Sequence, residues 1–238
     1  ESGRCPKEDI MTYQDIKHNA EVCALLEKGN QNLGVLGFTD HSEAHCLLVA
    51  ERSAYILRKL GYSEHDQELA KIAGFMHDIG NLVNRTIAMQ NKYFDGVIQA
   101  PTAKEDIDNE LSQFCFDTVE KVDKLINTYR MSDAVEAVIN LAKRCNKYID
   151  ETTPWALAKD ETKQERLQTV LYNLIESICI ATNLLAPFMP ETAAKIFAQL
   201  NTKARGIEDL ATFGLYPNGN KVTETPEILF ARLDLNEV

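Results

Sequence analysis

Apolar residues recur at helical spacing along most of this chain. Leu167, Val170, Leu171, Leu174, Ile175, Ile178 and Leu185 fall on the i, i+3, i+4, i+7 stripe of one amphipathic helix. Pro187 and Pro190 break that run, and the pattern resumes over 191–200. Residues 105–129 carry Ile107, Leu111, Phe114, Val119, Val122 and Leu125 at the same period. Ser132 is placed to cap a helix through Asp150, with Val135, Val138, Ile139 and Ala142 inward. Upstream, Ser42 is placed to cap a helix through Leu60, which Gly61 ends, and Ser63 to cap another starting near Glu64. Only Gly74 and Gly80 interrupt the latter before Asp95–Gly96, so it is expected to run about 30 residues. Alternating Val-, Ile- and Tyr-rich runs are nearly missing. Residues 213–233 read as irregular, with Pro217-Asn218-Gly219-Asn220 as a turn. The pattern predicts an all-α fold.

Composition narrows the function classes. The 238 residues are 45% hydrophobic, enough for a sizeable core in one or two domains. Acids outnumber bases 36 to 25, for a net charge of −11, which argues against a general electrostatic binder of nucleic acid or anionic membrane. Selective RNA contact through a few residues stays open. Six cysteines, at 5, 23, 46, 115, 145 and 179, lack the two-residue spacing of zinc knuckles or thioredoxin-like pairs. They read as reduced thiols, several in the core, and favour a cytoplasmic setting. The polar start at 1–9 does not resemble a signal peptide, and a first residue other than Met is expected of a chain cut or processed from something longer. The most apolar window, 170–189, contains Asn173, Glu176 and Asn183, so it is expected to be a buried helix and no membrane span.

All five histidines, 18, 41, 45, 65 and 77, precede residue 78. His77–Asp78 falls within a helix, and His41 and His45 are i, i+4 near the start of the preceding one. A His-Asp pair joined by a His from a neighbouring helix can hold a divalent metal, with Fe, Mn, Zn or Co suited to those ligands. The metal could activate a water for attack on a phosphate. The commoner role of isolated histidines is to cap or solvate helices. Residues 11–80, through Asp40-His41-Ser42-Glu43-Ala44-His45 and Ala73-Gly74-Phe75-Met76-His77-Asp78-Ile79-Gly80-Asn81, resemble the HD superfamily of metal-dependent phosphohydrolases. The resemblance implies metal ligands at His45 (or His41), His77 and Asp78. The family's later Asp has no counterpart in its usual context, and Asp95 or Asp106 would have to substitute for it.

From Gly80 to about residue 234 the chain resembles the anticodon-binding helical bundle of bacterial methionyl-tRNA synthetases. The pieces are Gly80-Asn81-Leu82-Val83-Asn84-Arg85-Thr86, Lys92-Tyr93-Phe94-Asp95-Gly96-Val97 and Asn146-Lys147-Tyr148-Ile149-Asp150-Glu151-Thr152-Thr153-Pro154-Trp155. Leu185-Ala186-Pro187-Phe188-Met189-Pro190 and Leu229-Phe230-Ala231-Arg232-Leu233-Asp234 follow in order, with Ala231 where the family usually has Pro. The resemblance implies tRNA as partner, with the methionine anticodon loop read by Asn81, Arg85 and Trp155. Asn offers a donor and an acceptor, Arg a fixed fork of donors, and Trp a stacking face for a single-stranded base. Taken alone, Trp155 would read as a core residue and Arg85 as a surface ion-pair partner. The family's catalytic signatures are not found, so methionine activation is not expected.

The expected architecture is therefore a truncated HD-like helical segment over 1–80 and a bundle of the class I synthetase anticodon-binding type over 81–238. The two share one long helix. His77, Asn81 and Arg85 lie at i, i+4 and i+8 on it, so at most one of the two sites is expected to be well formed. A monomer is expected, with a homodimer as the alternative.

Overall fold

A computed structural model describes residues 51–52, 54–227 and 229, without the side chains of 65–66 and 68–78. The chain divides between His45 and Cys46, and everything below belongs to the second unit, Cys46–Val238. The helix expected to be capped by Ser42 is helical over 54–59, and its start lies outside the described residues.

Helix α1, Glu64–Phe94, runs 31 residues straight through Gly80, as the lack of breakers predicts. It buries Ile79, Leu82, Val83, Thr86, Ile87 and Gln90. Asp95 and Gly96 then turn the chain with φ of 51° and 81°. Gly96 is required twice over: a Cβ there would stand 2.6 Å from Asn91 Oδ1, and φ is positive.

Helix α2, Asp106–Asn127, opens with a capping box in which Glu105 and Asp108 each accept the other's backbone N–H. Helix α3, Met131–Thr152, follows after three residues and lies antiparallel to α2, as a connection this short demands. Its start corrects the sequence expectation. Arg130 is the N-cap residue, with no side-chain cap, and Ser132 lies inside the first turn. Arg130 Nε instead holds Asp133 at 2.6 Å, so an ion pair ties the first turn. A one-turn helix α4, Pro154–Leu157, leads to a 3-10 turn at Glu161–Lys163 and then α5, Gln164–Leu185.

The apolar stripe predicted for α5 is buried as expected, but α5 is enclosed on nearly every face. It packs against α1, α2, α3 and α6, Pro190–Gln199. Each fully buried Leu or Ile contributes roughly 1.5–3 kcal/mol. The polar residues of α5 survive burial because each finds a partner. Thr169, Ser177 and Thr182 donate to carbonyls one turn back. After a 3-10 turn at Ile207–Ala211, the expected Pro217–Asn220 turn forms with Gly219 at φ 79°. It sets an isolated antiparallel bridge between Val97 and Lys221, which sews the end of α1 to the tail. Among the described residues, no helix is long and apolar enough to cross a membrane.

Candidate nucleic-acid interface

Three candidate reading residues come from two elements. Asn81 and Arg85 stand one turn apart on α1, and Trp155 follows Pro154 at the start of α4; all three are half-buried. Arg85 reaches across to α3, where its Nη1 donates to Asn146 Oδ1 at 3.5 Å. Asn146 lies six residues before α3 ends at Thr152. This contact ties the Asn81/Arg85 face of α1 to the half of α3 that delivers Trp155. Asn146 went unread as a functional residue in the sequence, although it opens one of the matching segments. A polar amide on an inward-leaning helix face was the available signal.

Trp155 packs against the core and stays half-buried. The corner before it turns at Thr153, with φ 43° and ψ 62°, which ends α3 and starts α4 at once. Pro154 takes the first helical position, where its missing N–H costs nothing.

A buried polar network floors this corner. Tyr148, fully buried on α3, donates its hydroxyl to Asp108 Oδ1 on α2 and accepts from Asn173 on α5. Asp108 is also gripped by Arg166, through Nη1 at 2.6 Å and Nη2 at 3.0 Å. Burial alone would raise the Asp108 pKa, but the hydrogen bonds from Arg166 and Tyr148 outweigh it and hold the carboxyl below its ordinary value. Burial and the hydrogen bond to Asp108 push the Tyr148 phenol up, so it stays a donor at neutral pH. A cavity of about 460 Å³ lies alongside, bounded by Glu105, Asp106, Glu151, Thr152, Leu157 and Arg166.

A second network organises the loop after α6. Glu176, 0% exposed, accepts from Arg205 Nη1 and Nη2 at 2.6 and 2.9 Å and from the backbone amides of Gly214, Leu215 and Tyr216. Neither network was read from the sequence. A carboxylate in the most apolar window was the signal, because a fully buried charge requires a partner.

The thiols expected in the core are there. Cys115, Cys145 and Cys179 are free and buried, and burial pushes Cys115 and Cys179 up to about 12, leaving neutral, unreactive groups. Of the metal candidates, His45 lies outside the described residues. His77 and Asp78 fall on α1 by backbone, with their side chains outside the described set. Asp95 and Asp106 are both exposed, in different elements. Among the described residues, no group of three or more His, Cys, Asp or Glu is arranged to hold a metal.

Comparison with known proteins bears on the same region. Residues 108–234 match the anticodon-binding domain of tRNA ligase, a stretch that takes in Trp155 and lies downstream of His45, His77 and Asp78. The chain is 50% identical over 161 residues to the methionine–tRNA ligase of Clostridium perfringens, covering 68% of this chain and 25% of that protein. A match to 68% of 238 residues takes in 78–161 wherever it begins, so Asn81, Arg85 and Trp155 fall inside it. The Clostridium acetobutylicum enzyme is 49% identical over the same shares. The chain thus spans about a quarter of the length of these relatives. The apo structure of Mycobacterium tuberculosis methionyl-tRNA synthetase superposes with a TM-score of 0.64 at 29% identity, over 73% of this chain and 35% of that one. With over half its length matched to that family and an all-helical architecture to fit, the chain belongs to the anticodon-binding domains of tRNA ligases.

Proposed function

We propose that this chain binds a tRNA anticodon loop of the methionine type, with Asn81 and Arg85 reading base edges and Trp155 stacking a base. It supplies recognition to a reaction whose chemistry is carried elsewhere. The observation that carries the reading is the Arg85–Asn146 hydrogen bond, which ties Arg85 on α1 to the half of α3 that leads into Trp155. Single-stranded bases are read in this way, by edge hydrogen bonds beside an aromatic platform. An overall charge of −11 fits selective reading with a shallow salt dependence, because few phosphates are neutralised.

The test is a titration with a methionine anticodon stem-loop against a scrambled loop of equal length. The cognate loop is expected to bind at least about tenfold tighter, as loss of one or two good base contacts would imply. Equal affinity would overturn the reading. Trp155→Ala is expected to weaken cognate binding by about 1–3 kcal/mol, the usual range for one base–aromatic stack. Asn146→Ala should raise the cognate Kd by up to about tenfold, through loss of a hydrogen bond that orients Arg85. The same variant should leave scrambled-loop binding nearly unchanged.

A further inference from the structure

Among the described residues, four non-glycine positions take positive φ: Asp95, Tyr129, Thr153 and Asn201. Each follows a helix. Thr153 differs from the others in two ways: it is β-branched, and it precedes a proline. Both features oppose the left-handed region. Branching at Cβ crowds it, and the proline ring pushes its predecessor towards extended backbone. Such a corner persists only where the surroundings over-determine it.

Here they do. Thr153 N donates to Ile149 O at 2.9 Å, closing α3. Thr153 O accepts from Ala156 N at 2.8 Å and Leu157 N at 3.2 Å, opening α4. Thr152 Oγ1 donates to Tyr148 O at 2.6 Å, and Tyr148 is itself bound to Asp108. Pro154 is buried and fixes the next φ. The chain therefore passes from α3 to Trp155 through two residues whose dihedrals are both set.

We infer that Thr153 is a positioning residue for RNA reading: its left-handed backbone aims Trp155 at the loop. The inference rests on the anticodon reading, but one arm of its test does not. Trp155 is the only tryptophan, so intrinsic fluorescence reports the corner directly. Two full-chain variants separate the cases. Asn enters the left-handed region readily, whereas Pro cannot enter it and has no N–H for Ile149. Thr153→Asn is expected to keep the emission maximum, the acrylamide quenching and the cognate-to-scrambled affinity ratio of the unsubstituted protein. Thr153→Pro is expected to shift the emission, raise quenching and cut that ratio about tenfold, within the range of one lost stack, while far-UV circular dichroism stays helical. Thr153→Pro matching the unsubstituted protein in both emission and ratio overturns the inference, as does Thr153→Asn losing as much as Thr153→Pro. Should Thr153→Pro unfold the bundle, Thr153→Gly decides, since Gly takes the left-handed region without being confined to it: quenching above that of Thr153→Asn supports the inference, and quenching no higher overturns it. If the unsubstituted protein shows no cognate preference, the functional reading fails while the fluorescence contrast still decides the role of Thr153.

Discussion

Replacing Glu176 with Ala is expected to cost the fold about 3–5 kcal/mol, read as a fall of roughly 10 °C or more in Tm. The reason is asymmetry. The intact pair contributes little net stability, because desolvating both charges offsets most of their attraction. Removing one partner is different. Without Glu176, the Arg205 guanidinium, whose side chain is only 10% exposed, and the amides of Gly214, Leu215 and Tyr216 all lose their acceptor together. The double variant Glu176→Leu/Arg205→Met should recover the part due to the stranded charge, since it leaves no buried charge, but not the part due to the three amides. Chemical denaturation of the single and double variants checks this. A Glu176→Ala protein as stable as the parent would mean that the loop after α6 is not held by this carboxylate. Glu176 lies ten residues, about 15 Å of helix, beyond Arg166 at the reading corner. Loop binding by the folded variant should therefore be retained.

The helices were legible because each buries a stripe with a clear period. Residues 105–129 and the stripe from Leu167 to Leu185 could be placed from apolar positions alone, and the length of α1 followed from its lack of breakers. What failed to show was anything decided by tertiary contact. Ser132 looks like a cap, yet Arg130 and Asp133 close the first turn of α3 between them, because an ion pair over three residues competes with a hydroxyl cap. A stripe on α5 gives no sign that the other faces are also covered. That depends on how α1, α2, α3 and α6 surround it.

The candidate site was legible at the level of residue types and not of support. Asn81 and Arg85 share a face by spacing alone, and Trp155 stands out as the only tryptophan. Nothing in the sequence pairs Arg85 with Asn146, 61 positions away, or joins Asp108 to Tyr148 across 40. Periodicity encodes local geometry, whereas these contacts depend on the register between helices, which is set by the whole core. The left-handed turn at Thr153 is hidden for the opposite reason: Thr before Pro predicts extended backbone, and the surrounding hydrogen bonds override that local preference.

Asp108→Asn is expected to lower stability by about 2–3 kcal/mol at neutral pH, since Arg166 would lose its buried ionic partner and keep only the exposed Glu105, at 3.2 Å. The sign of the pH dependence follows from the depressed pKa. A carboxyl held below its ordinary 3.8 in the folded state contributes stability that is fully present above that value and is lost as pH falls through the folded value. The gap in urea midpoint between parent and Asp108→Asn should therefore be widest near neutral pH and should narrow as the pH is taken below 3.8. A gap that stays constant on acidification would show that the ionised carboxyl is not what holds Arg166 and Tyr148. Tyr148 also carries the last turn of α3, so this variant connects the core to the corner. If the Asp108–Tyr148 contact braces Thr153, folded Asp108→Asn should show a looser Trp155, with higher acrylamide quenching, whereas Glu176→Ala should not. That contrast separates a network that supports the fold at large from one that also holds the reading residue in place.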